Sequence, residues 1–101
     1  MASLVALRLP EFREAKFPLG RLLMTPAARD ALTAADMKRG LFWHSQRYWG
    51  DVGEEDQEAN ERAILDGGRI LSAYLAENGT RFWVITEADR SATSVLLADE
   101  Y

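Results

Sequence analysis

Polar and apolar residues change period twice along this chain, and the changes mark its elements. Leu19 to Met24 is a short apolar run, LGRLLM, that predicts a strand. Thr25 then supplies a helix N-cap, with Pro26 at the first helical position where its missing N–H is no loss, so a helix is expected over about 26–32. Thr33 with Asp36 three residues on forms a capping box and opens a second helix over about 34–46. There Met37, Leu41 and His44 recur at helical spacing, and the crowded Leu41-Phe42-Trp43 run reads as core. A turn at Tyr48-Trp49-Gly50-Asp51 leads into a third helix, with Asp51 as its expected cap and Glu54 at its third position. Glu54, Glu58 and Glu61 share one face of it, Ala59, Ala63 and Ile64 make the apolar side, and Gly67 or Gly68 ends it.

From Arg69 the period shortens to two. RILSAYLA, an Asn78-Gly79 hairpin turn, TRFWVIT, the polar turn EADRSA and TSVLL predict a three-stranded antiparallel meander. In its middle strand Phe82, Val84 and Thr86 alternate with Arg81, Trp83 and Ile85, so bulky groups lie on both faces and the strand is expected inside the sheet. The predicted fold class is α+β: a short N-terminal strand, two or three helices, then the meander, with helices packed on one face. The other face is left for the N-terminal segment or a partner.

With 101 residues there is material for one core. Residues 1–18, broken by Pro10 and Pro18, read as a variable extension or an edge strand, and residues 19–101 as the single domain. There is no cysteine, signal-peptide pattern or membrane-spanning run, so a cytoplasmic protein is expected. The net charge of -4 hides an asymmetry: residues 1–50 carry eight Lys/Arg against four Asp/Glu, and residues 51–101 four against twelve. The expectation is that these charges face each other across the fold, and the acidic total argues against direct binding of nucleic acid.

The chemistry-bearing candidates are few. His44, the single histidine, would act as a general base in a small hydrolase or nuclease if Asp51 or Glu54 oriented it; the alternative is a helix-surface or partly buried histidine hydrogen-bonded to the turn. Asp51, Glu54, Asp56 and Glu58, with Glu87 and Asp89, offer hard oxygens, but they lack the alternating donors and glycine of a calcium loop, so no metal is expected. No glycine-rich fingerprint joins a strand to a helix, and no cofactor is expected. In ITEADRSATS, Arg90 with Ser91 and Thr93 would suit an anion or a partner's carboxylate; otherwise Asp89 closes its own turn and Arg90 pairs with an acid of the third helix. The candidate binding residues are therefore Trp49, Asp51, Glu54, Glu58, Glu61, Glu87, Asp89, Arg90 and Ser91. Any exposed pair among Trp43, Tyr48, Trp49, Trp83 and Tyr101 would anchor a protein partner. A bare sheet edge or face would favour a homodimer.

The element order is similar to that of small ribonuclease toxins of bacterial toxin–antitoxin pairs, but those are usually strongly basic and the second half of this chain is acidic. Trp49-Gly50-Asp51, Asn60-Glu61-Arg62-Ala63, Gly68-Arg69 and Ile85-Thr86-Glu87-Ala88-Asp89-Arg90-Ser91 together resemble a widespread family of small bacterial proteins, many carried on plasmids, prophages and other mobile elements. The resemblance spans about residues 19–101; Ala27 and Ala98 stand where relatives tend to have glycine and proline, at turns and caps. The family has no established activity, so the resemblance carries over no catalytic residue. It implies an accessory protein that binds a host or phage protein, such as an inhibitor of a defence system.

Overall fold

The computed structural model describes residues 4–6 and 14–101. Strand β1 (Val5–Ala6) is followed by β2 (Arg21–Met24), helices α1 (Pro26–Ala31), α2 (Ala34–Ser45) and α3 (Glu54–Asp66), then β3 (Ile70–Leu75), β4 (Arg81–Thr86), β5 (Ala92–Leu97) and a 3₁₀ turn at Ala98–Glu100. The fold is α+β, with one five-stranded sheet in the order β1-β2-β5-β4-β3. Val5 and Ala6 pair antiparallel with Met24 and Leu23, so this part of the N-terminal segment is an edge strand; residues 1–3 and 7–13, Pro10 included, lie outside the described residues.

The local signals act as expected. The Thr25 hydroxyl accepts from the Ala28 N–H at 3.0 Å, and Thr33 and Asp36 exchange both bonds of the capping box. Asp36 also accepts from the Glu77 N–H at 3.1 Å and from Arg39 at 2.7 Å, tying the start of α2 to the β3–β4 hairpin. Gly67, in the left-handed region, ends α3.

The meander pairs as predicted, Tyr74 opposite Phe82 and Val84 opposite Val95. β2 adds to it in parallel on β5, Leu22 beside Thr93 and Met24 beside Val95, a partner that a four-residue strand does not announce in its own sequence. One sheet face therefore carries Ser72, Tyr74, Phe82, Val84, Thr86, Thr93 and Val95, all buried. α1 and α2 cover it with Ala28, Leu32, Met37 and Leu41, and a second cluster joins Phe17, Leu19, Trp49, Ala63 and Ile70. Gly40 sets the approach of α2, because a Cβ there would lie 2.7 Å from the Phe82 ring.

Two expectations change. Asp51 does not cap α3: the N-cap is Gly53, without a side-chain bond, because Trp49-Gly50-Asp51 runs along the outer edge of β3. The Asp51 N–H donates to the Ala73 carbonyl at 2.8 Å and the Ala73 N–H to the Trp49 carbonyl at 3.1 Å. Gly50 has φ +76°, and a Cβ on it would sit 2.0 Å from the Ala73 oxygen, so no other residue fits that pairing. The Asn60 side chain completes the edge, donating to the Leu71 carbonyl at 2.7 Å and accepting its N–H at 3.0 Å. An edge strand that would template aggregation is thus paired within the chain. The second change is on α3, whose buried positions are Asn60 and Ala63, with Ile64 half-buried and Ala59 exposed.

Candidate functional site

His44 lies at the centre of the molecule, wholly buried between the sheet and the Phe17 and Trp49 rings, whose centroids are 5.3 and 5.9 Å away. Its Nδ1 is 2.5 Å from the Ser72 hydroxyl and its Nε2 is 2.8 Å from that of Thr86. Thr86 in turn meets Thr93 at 2.7 Å, and the Thr93 hydroxyl donates to the Leu19 carbonyl at 2.7 Å. That carbonyl can only accept, which orders the chain. Thr93 spends its proton on Leu19, Thr86 donates to Thr93, Nε2–H donates to Thr86, and Nδ1 accepts from Ser72. The imidazole is the neutral Nε2–H tautomer, and burial pushes its pKa down to about 3.

This is not the geometry of the hydrolase alternative. The structure does not bring His44 to Asp51 or Glu54. The Asp51 carboxylate is at the surface, 2.9 Å from Arg81, and Glu54 lines a surface groove with Arg47, Trp49, Gln57, Glu58, Glu61 and Arg62. Both imidazole nitrogens are committed to buried hydroxyls, so no proton can be exchanged with a substrate without opening the core. Sequence reasoning missed Ser72 and Thr86 as the partners of His44, and Thr93 as the next link in the chain. Their signal was a polar side chain at three inward positions of strands otherwise lined by Tyr74, Phe82, Val84 and Val95.

Several of the expected binding residues bond within the chain. The Trp49 indole is buried and donates to Glu61 Oε2 at 2.9 Å. Arg47 closes on the same carboxylate, and this pair, with burial opposing it, keeps the Glu61 pKa below its usual value. Asp89 accepts the Ser91 N–H at 2.9 Å, closing its own turn, and the Ser91 contacts depress its pKa. Arg90 departs from the expected acid pairing: its guanidinium donates to the carbonyls of Gly68 at 2.6 Å, Ala63 at 2.8 Å, Glu87 at 3.1 Å and Ala88 at 3.2 Å. Two of these belong to the C-terminal end of α3, where peptide dipoles favour a cation. Glu87 is 4.0 Å from Arg69. Glu54, Glu55, Asp56 and Glu58 are exposed on the first turns of α3.

Three aromatic side chains at and just beyond the end of α2 are also open to solvent. Tyr48 is 69% exposed, Phe42 48% and Trp43 37%. The expectation that Phe42 and Trp43 join the core fails for a simple reason: successive helical residues are about 100° apart, so once Leu41 and His44 face the sheet, positions 42 and 43 turn away from it. Trp43 is braced by Tyr74 at 5.5 Å between ring centroids and by the Arg39 guanidinium at 5.6 Å. The Tyr74 hydroxyl donates to the Tyr48 carbonyl at 2.5 Å, holding the following turn. Arg47, next to Tyr48, opens the groove of about 560 Å³ whose wall carries Glu54 and Glu58.

The expectation that the two halves neutralise each other holds at Arg47–Glu61, whereas Arg39–Asp36, Arg69–Glu87 and Arg81–Asp51 join groups of the same half. Among the described residues no group of three or more His, Asp or Glu converges as a metal site, and no helix is long and apolar enough to cross a membrane. Comparison of the chain with protein-family models, with curated proteins and with solved structures finds no match.

Proposed function

We propose that this protein is an accessory binding domain that engages a protein partner through Phe42, Trp43 and Tyr48 together with the acidic first turns of α3. The observation that carries this reading is the exposure of three aromatic side chains close together along the chain, while Trp49 and Arg90 are bonded within the fold. Rigid aromatics lose little entropy on binding and dominate interface energies. Glu54, Glu55, Asp56 and Glu58 add a negative field that would draw in a basic surface and fix its register. The resemblance to small proteins of mobile elements supports a host or phage protein as the target, met in the cytoplasm.

The test compares affinity capture from nuclease-treated native lysate by the parent protein and by a Phe42→Ala/Tyr48→Ala variant. The aromatic variant should lose partner recovery by about ten-fold or more. Neutralising the four acids should weaken capture at low salt and have little effect at high salt. Because both aromatic side chains are exposed, the variant should unfold within a few degrees of the parent. Equal recovery by parent and aromatic variant would sink the proposal.

A further inference from the structure

We propose that the helix-free face of the sheet carries a second site, for a small apolar amine. All three helices pack on the opposite face, yet Ile85 of β4, which points away from them, is only 2% exposed. The end of the chain lies on that face, where Glu100 and Tyr101 line a cavity together with Ile85. The ring of Tyr101 lies 5.8 Å from that of Trp83 and 5.4 Å from the Arg69 guanidinium, so it spans the sheet face as a roof. Glu100 anchors that roof: its Oε1 accepts from the Thr25 hydroxyl at 2.6 Å and from the Leu97 N–H at 2.9 Å.

Beneath lies a cavity of about 310 Å³, roughly ten water molecules' worth of liquid volume and at the small end of the range for small-molecule sites. Ile85, Ser94 and Leu96 make its floor, with Leu4 at the side. Ser94 stands between Ile85 and Leu23 in the sheet register, and its small side chain is what leaves the floor low.

Charge selects the occupant. Among the described residues the wall carries two carboxylates, Glu87 and Glu100, against one guanidinium, Arg69. Arg69 is already engaged with Tyr101 and, more distantly, Glu87 at 4.0 Å. Both bonds to Glu100 fall on Oε1, which leaves Oε2 without a partner among the described residues. An anion would meet two like charges there, whereas a single ammonium on an apolar body balances the wall and covers the floor. The site lies across the sheet from the aromatic surface of the proposed partner interface and does not depend on it.

Titration of ¹⁵N-labelled protein with 2-phenylethylamine, 2-phenylethanol and phenylacetate separates the contributions. The amine should bind with a Kd on the order of 1 mM, as expected of a ligand this small. Its amide shifts should centre on residues 69, 85–87, 94–96 and 100–101. The alcohol should bind about five-fold more weakly and phenylacetate more weakly still. Glu100→Gln keeps both hydrogen bonds of the roof and should weaken the amine about three-fold or more while leaving the alcohol unchanged. Ser94→Phe should block all three ligands, and unperturbed shifts on the helix side would show that the fold survives. Equal affinity for amine and alcohol would overturn the charge assignment. Shifts elsewhere, no shifts up to about 20 mM ligand, or the same shifts on raising protein concentration alone would overturn the site, the last by identifying a second copy as its occupant.

Discussion

Lowering the pH from 7 to 4.5 should destabilise the folded protein by about 2.5 kcal/mol through His44 alone. Burial holds the folded imidazole at about 3 against an ordinary 6.5, so between these values the unfolded chain binds a proton that the folded chain refuses. Stability is complete above pH 6.5 and falls with pH from there, at a limiting slope of about 1.4 kcal/mol per unit. Asp36 acts in the same sense but later. Burial raises its pKa, the Glu77 and Thr33 N–H groups and Arg39 more than offset that, and its value of about 2 puts its loss below the ordinary 3.8. For a domain of this size the His44 effect amounts to a fall in Tm of about 10–20 °C. His44→Leu removes the titration and leaves the Ser72 and Thr86 hydroxyls without their partner, so it should cost roughly 2–5 kcal/mol at pH 7 and flatten the pH dependence between 7 and 4.5. Urea unfolding of parent and variant across that range checks both parts; a parent curve flat in pH would contradict the buried neutral assignment.

Arg90→Leu should cost about 2–4 kcal/mol, because four carbonyls, two of them at the end of α3, lose a charged donor in a partly buried setting. Arg90→Lys should recover little of this, since one ammonium cannot reproduce a planar fork directed at separate carbonyls. Arg47→Ala is the control. Its pair with Glu61 is solvent-exposed, and its loss should cost no more than about 1 kcal/mol. Thermal unfolding of the three variants distinguishes the accounts: if Arg90 belonged to a ligand site rather than to the fold, Arg90→Leu would unfold with the parent.

The elements were legible because local chemistry specifies them: Thr25-Pro26, the Thr33/Asp36 box and the Asn78-Gly79 turn act where the sequence places them. The meander followed from its period of two. The parallel addition of β2 to β5 was not legible, since that pairing is decided by contacts some seventy residues away along the chain. The candidate site was misleading for a related reason. Trp49 and Asp51 are candidate site residues by type, yet their segment, with Gly50 and Asn60, pairs the outer edge of β3. Arg90 looks like an anion binder and caps a helix. In each case the residue type fits a buried structural bond as well as a ligand, and only the partner, distant in sequence, decides between them. Phe42 and Trp43 erred in the opposite direction, because a run of three large apolar residues on one helix cannot all face one sheet.

The central claim is that His44, the candidate base, belongs to the interior scaffold of the fold and not to a catalytic site. The single histidine gives one imidazole signal, and its ¹⁵N shifts followed by NMR from about pH 8 to about pH 4.5 test the claim most directly. The structure predicts a neutral Nε2–H tautomer that keeps the same shifts over that whole range. A titration centred near 6.5, or an Nδ1–H tautomer, would place His44 within reach of solvent or of an acid, contradict the buried chain and return His44 to consideration as a base.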